Sequence, residues 1–234
     1  MLKIIEKDNL MFRKLRENLL AFSSILTIVP LNILYVLLNN SDRGSRSLVT
    51  KLDNSMPFIK EFIVPYIIWY AFIFFTLAYL CYKDKETFYI TVVSYNLGLI
   101  ASYITFFLFQ THVPRPELSG NDIFTKLVMI IYGNDQPYNC FPSIHVLTSF
   151  LMVKAIMASK CKNKTNLSII WTLSVLIILS TLFVKQHVIL DAVSGIIYAD
   201  LIFRFASAYS YKVWNFIRKQ IHIKGQVAFE ENSN

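Results

Sequence analysis

Three stretches of the chain, Leu19–Leu38, Phe62–Tyr82 and Phe88–Phe109, run without one charged side chain, and a fourth, Leu167–Val184, is only just long enough to join them. About 20 apolar residues are what a helix needs to cross the hydrocarbon of a bilayer. In that medium every backbone N–H and C=O must find its partner within the segment, which leaves helices as the natural spanning form. Two further stretches, Phe141–Ser159 and Val188–Tyr209, are apolar with interruptions: His145 and Lys154 in the first, Asp191, Asp200 and Arg204 in the second. The chain therefore reads as an all-α polytopic membrane protein, a bundle of six transmembrane helices. The apolar run at 123–133 is too short to cross and is expected to be an interfacial or re-entrant helix between spans three and four. A composition that is 55% hydrophobic and 15% aromatic, with apolar residues in long blocks, excludes an ordinary soluble domain.

Three regions follow: a basic interfacial N-terminal segment (1–18), a six-span catalytic membrane domain (19–211) and a basic cytoplasmic tail (212–234). The N-terminal basic flank resembles a secretion signal, but its apolar run is too long and lacks a small-residue cleavage site, so it is read as a retained first span. With the N-terminus inside, the inner connections carry 14 Lys and Arg and the outer ones 7. The bias places both termini in the cytoplasm. The same flanks, held against anionic lipid, account for the net charge of +8, and no nucleic-acid partner is invoked. A cell membrane is the expected location. Lys154 is expected to snorkel inward, Asp200 and Arg204 to pair near the inner surface, and Tyr95, Asn96 and Gly98 to serve helix packing. Cys81, Cys140 and Cys161 show no metal or disulfide spacing, and the sequence is silent on oligomeric state.

This topology gathers polar chemistry on one face. Of four histidines, His112, His145 and His187 all fall at the outer surface, while His222 sits in the tail. In "KQHVILD", His187 and Asp191 are four apart and would share a helix face, so the carboxylate can take one imidazole nitrogen and leave the other free as a nucleophile. The same pair could anchor the helix end or ligate a metal. In "FPSIHV", Pro142 at the first helical position would be followed by the amides of Ser143, Ile144 and His145, a cluster suited to phosphate, with His145 placed to pass a proton. A plain helix start would look the same. In "VPRP", Arg115 offers a fork for phosphate oxygens between two prolines.

The succession R-P, P-S-x-H and H-x-x-x-D, with the two histidines 42 positions apart, resembles the type 2 phosphatidic-acid phosphatase superfamily of membrane lipid phosphatases over roughly residues 88–210. The family pattern carries a lysine where this chain has Leu108, a glycine where it has Ile144, and an arginine where it has Thr181; Ser180 is kept. The reduced cations look most like the branch of inositol phosphorylceramide synthase-like and sphingomyelin synthase-like proteins. Lys185, Gln110 or His112 is expected to stand in for the missing cations.

What the resemblance and the residues imply together is a lipid phosphate held by Arg115, Ser143, the amide of Ile144 and its neighbours, and Lys185. His187 attacks phosphorus, Asp191 steadies the imidazolium, and His145 protonates the leaving alkoxide and then activates water. No metal or cofactor is called for. If an alcohol replaced water, the enzyme would be a phospholipid or sphingolipid headgroup phosphotransferase. A non-enzymatic transporter or a metal-binding scaffold is the third possibility. The substrate's tail and headgroup cannot be read from these residues.

Overall fold

The computed structural model describes residues 15–231 except 41, with side chains described as far as Lys212. The N-terminal part of the expected interfacial segment (1–14) therefore lies outside the described residues, and the tail histidine is described in its backbone alone. The chain forms α1 (Leu15–Leu38, with a 3-10 stretch at Ser23–Thr27), α2 (Lys51–Ser55), α3 (Ile63–Lys83), α4 (Lys85–Leu108), α5 (Ile123–Asn134), α6 (Ile144–Ala158), α7 (Lys164–Phe183) and α8 (Ile189–Glu231). The fold is all-helical except for a two-residue parallel pairing of β1 (Arg46–Ser47) with β2 (Thr111–His112).

Local chemistry sets the helix starts. Thr50 and Asp53 form a capping box on α2, Asp84 accepts from the Thr87 amide at the start of α4, and Asp122 accepts from Phe124 and Thr125 at the start of α5. Ser143 caps α6 and Asn163 opens α7 with a second box. Each cap satisfies an amide that would otherwise lack a partner, and is typically worth about 1 kcal/mol.

Helix α6 is the centre of the bundle, packed on α8, α7, α4 and α3. From Val146 to Ile156 most of its side chains are buried, which suits a helix apolar on every side. Small residues permit the closest approaches. A Cβ on Gly195 of α8 would meet Ser143 O at 2.7 Å, and one on Gly98 of α4 would meet Leu147 Cδ2 at 2.8 Å. Gly98 thus serves packing, as expected, and Asn96 does too, donating to Thr27 Oγ1 of α1 at 2.9 Å. Tyr95 is packed in the core as expected and also lines a cavity.

Four helices are long and apolar enough to cross a membrane: Leu15–Leu38, Lys60–Lys83, Lys85–Leu108 and Lys164–Phe183. The remaining two expected spans are outside this set. Helix α6 has only 15 residues, and α8 carries Asp191, Asp200 and Arg204 along its first part and continues as one helix to Glu231. The flanks of the bundle are apolar, with Val36, Phe75, Leu108 and Phe205 exposed. Lys154, expected to snorkel inward by itself, is paired: its Nζ lies 2.6 Å from Asp200, which also takes Arg204 Nε at 2.7 Å in the expected pair.

The connections sort into two groups. The segments following α1, α4 and α7 touch one another: Arg46 N donates to Gln110 O, Ile59 N to Phe183 O, and Arg115 reaches Gln186. The segments following α3 and α6 meet separately, where Lys160 N donates to Asp84 Oδ2 at 2.8 Å and Lys160 Nζ pairs with Glu86. One end of the bundle thus holds every motif singled out in the sequence.

Candidate active site

His187 is not on a helix. It stands in the turn between α7 and α8, where Lys185 adopts φ +52° and the amides of Gln186 and His187 both donate to Thr181 O at 3.0 Å. Asp191, in the first turn of α8, reaches back. Its Oδ2 accepts from Val188 N at 3.0 Å and lies 3.4 Å from His187 Nδ1. The expected pairing holds, but the contact is made by a capping geometry in place of two side chains on one helix face. At 3.4 Å the imidazole bond is long, as catalytic hydrogen bonds often are before substrate binds. Asp191 is 0% exposed and its Oδ1 has no partner among the described residues.

The imidazole of His145 faces that of His187, with ring centroids 5.8 Å apart. It is fixed from behind by Tyr66 and Trp69, at 4.7 and 4.5 Å between centroids, and Trp69 is itself held by its indole donating to Thr148. Pro142 is not the first residue of α6: Ser143 is the N-cap, its Oγ accepting from Val146 N, and the Ser143 amide donates to Asp191 O at 3.0 Å. The anion cradle is therefore smaller than the sequence suggests. Among the described residues the amides of Ile144 and His145 are left without any acceptor in that first turn, while Val146 N is taken by the Ser143 side chain. The Ser143 to Asp191 bond is also what ties the start of α6 to the start of α8.

Arg115 is pinned. Its guanidinium donates to Tyr132 O (3.0 Å), Asp135 O (2.7 Å) and Gln186 Oε1 (2.7 Å), lies over the Tyr132 ring, and keeps Nε buried without a partner. Both Nη2 bonds are thus committed, and one Nη1 hydrogen and the buried Nε–H are what the guanidinium has left to offer an anion. Lys185 lies at the same cavity wall, but its Nζ donates to Asp53 O (3.0 Å) and Met56 O (2.7 Å) at the end of α2. Its charge is engaged by carbonyls. Of the other stand-ins considered, His112 Nδ1 bonds Ser45 and Gln110 donates to Leu38 O and Asn139; neither lines the two cavities at His187.

His187 separates those cavities. One, of about 350 Å³, holds Arg115, Lys185, Asp53 and Val188; the other, of about 270 Å³, holds His145, Asp135 and a wall of aromatic side chains. In the second, Asp135 Oδ1 accepts from Tyr35 Oη (2.7 Å) and Asn39 (2.9 Å). Burial pushes the Asp135 carboxyl above its ordinary range, against the pull of those bonds and of Arg115.

Several residues with no signal in the sequence belong here. Gln186 bridges to Arg115, and Asp53 Oδ1 accepts from Ile189 N at 2.8 Å, bracing the turn that carries His187. Tyr132 fixes the same turn by donating to Val184 O at 2.6 Å.

The sequence pattern described as PAP2 superfamily matches residues 91–215, more than half of the chain. The chain belongs to the PAP2 superfamily. Members of that superfamily are generally phosphoesterases, and with the apolar helices this makes the chain a membrane protein of the phosphatase and phosphotransferase class. No curated protein and no solved structure matches the chain. The PAP2 segment contains Arg115, Ser143, His145, Lys185, His187 and Asp191, whereas Asp53, Tyr66 and Trp69 precede it.

Proposed function

We propose that this PAP2 protein is an integral-membrane, metal-independent lipid phosphatase that hydrolyses a phosphomonoester or pyrophosphate of a lipid through a phosphohistidine at His187. The observation that carries the reading is the approach of two imidazoles to 5.8 Å with a buried carboxylate behind one and a pinned guanidinium in the cavity beside it. A phosphoryl group entering there is bound by Arg115, by the Ile144 and His145 amides at the Ser143-capped start of α6, and, once its carbonyl contacts yield, by Lys185. His187 attacks phosphorus in line as the P–O bond to the lipid breaks, and His145 gives its proton to the departing alkoxide. Asp191 holds His187 Nδ1–H and offsets the positive charge of the phosphorylated ring. His145, now a base, then takes a proton from water, and phosphate leaves. Each proton-transfer group contributes on the order of 10²–10⁴ in rate.

The grouping of connections at two ends of the bundle supports six crossings, and the two-to-one bias of Lys and Arg favours cytoplasmic termini with the site at the extracytoplasmic face of the cell membrane. The helix α5, capped by Asp122 and packed on α3, is read as the interfacial piece. The absence of the motif cations at Leu108 and Thr181 favours the inositol phosphorylceramide synthase-like branch within the superfamily.

A second reading, headgroup phosphotransferase, is favoured by one feature. The cavity beside His145 is lined by Tyr66, Tyr95 and Tyr103, all buried, and among the described residues none bonds their hydroxyls. Such a cavity can house an alcohol acceptor where a phosphatase needs only water.

The test is incubation of purified protein with a panel of lipid phosphates and phospholipids, with and without alcohol acceptors and chelator, beside His187→Ala. Phosphate release that survives chelator and vanishes in the variant supports the phosphatase; headgroup exchange with little free phosphate supports the transferase. Activity lost to chelator and restored by zinc would contradict both.

A further inference from the structure

Beside His187 and Asp191, a thiol completes a set of three unlike ligands. Cys140, 2% exposed, offers Sγ, His187 a ring nitrogen and Asp191 a carboxylate oxygen, all within 4.8 Å of one another. The pair already closest, His187 Nδ1 and Asp191 Oδ2, is 3.4 Å apart. A tetrahedral zinc with metal–ligand bonds of about 2.0–2.3 Å needs ligand atoms about 3.5 Å apart, so closing the set takes shifts of no more than about 1.3 Å. A second, independent feature points the same way. Asp191 Oδ1 is fully buried and has no hydrogen-bond partner among the described residues, a cost that an arriving cation would remove.

We propose that Cys140, His187 and Asp191 form a binding site for a thiophilic divalent cation, zinc in the first instance, and that filling it switches off phosphoryl transfer. The inhibition, though not the binding, rests on His187 being the nucleophile. The metal enters by the cavity that holds Arg115 and Val188; Val113 and Val188 line it and pack on Cys140. The Cys140 thiol releases its proton to water as the Zn–S bond forms. The resulting thiolate and the Asp191 carboxylate together cancel the 2+ charge, so the filled site is neutral and tolerates burial. Thiolate is the ligand that selects zinc over magnesium or calcium here. Once His187 is a metal ligand and Asp191 is turned from it, the ring no longer has both a free lone pair and a carboxylate to orient it.

The test uses the full chain in detergent micelles. Zinc added to wild type should lower phosphate release at least tenfold, with chelator restoring it. Cys140→Ser should keep the zinc-free rate and need at least about tenfold more zinc for the same inhibition, since even loss of a group that merely supports a ligand weakens metal sites 10–100-fold. Cys140→Ala serves as a second variant of similar size. Cobalt(II) gives a readout independent of turnover: wild type should show thiolate-to-cobalt charge-transfer absorption that Cys140→Ser lacks. That band would persist even if no lipid phosphate proved to be a substrate. Absence of the band in wild type, or equal zinc sensitivity in the Cys140 variants, would overturn the proposal.

Discussion

Two acidic side chains that no motif contains shape the site. Asp53 holds the Ile189 amide, two residues beyond His187, while its backbone carbonyl receives Lys185. Asp53→Ala should cost about 1.5–3 kcal/mol, the range for a hydrogen bond to a charged group, and should lower kcat as the turn loosens; thermal unfolding in detergent and steady-state kinetics would check both. Asp135 acts with the opposite sign. Burial raises its carboxyl in the folded chain, so the stability it contributes is present below the ordinary carboxyl pKa near about 4 and is lost as pH rises through the raised value. Asp135→Asn should therefore gain thermal stability relative to wild type as pH rises from about 4, and a wild-type melting curve no steeper in pH than the variant's would contradict this. His145, His187, Asp191 and Arg115 were legible because their chemistry depends on short spacings. Asp53 and Asp135 were not, because a lone carboxylate in a loop acquires its role only from what folds onto it.

At the level of elements, the junction of α6 with α8 sets the distance between the two imidazoles. Gly195→Ala would drive a Cβ into the backbone oxygen of Ser143 at 2.7 Å and towards Leu147 N at 3.1 Å. Neither atom can move without shifting a helix, so a loss of about 1–3 kcal/mol and a larger loss of activity are expected. Gly98→Ala meets only the end of the Leu147 side chain, which can rotate, and should leave activity near wild type. Comparing stability and rate for the two variants separates packing from alignment. Where sequence reasoning misplaced an element, the cause was local. HxxxD was read as one helix face, but the chain turns at Lys185, and Asp191 reaches back to cap Val188. The same turn sends Lys185 towards the carbonyls of α2, a contact between positions 132 residues apart that spacing could not foretell.

For the whole molecule, the long apolar blocks made a helical membrane protein legible, whereas the count of spans was not: four helices meet the length and hydropathy of a crossing, α6 has only 15 residues, and α8 interrupts its apolar run with Asp191, Asp200 and Arg204. The six-span arrangement predicts that Asp42→Cys and Asn121→Cys react with a membrane-impermeant maleimide on intact cells, and that Lys162→Cys reacts only after permeabilisation. The reverse pattern would turn the site inward. The most direct measurement of the central claim is to quench the reaction on a lipid labelled at its phosphate with radioactive phosphorus, using His145→Ala to slow hydrolysis of the intermediate. The account predicts an acid-labile, base-stable label on the peptide that contains His187, absent in His187→Ala. Turnover of the lipid phosphate with no label on the protein, or with the label on another residue, would contradict it.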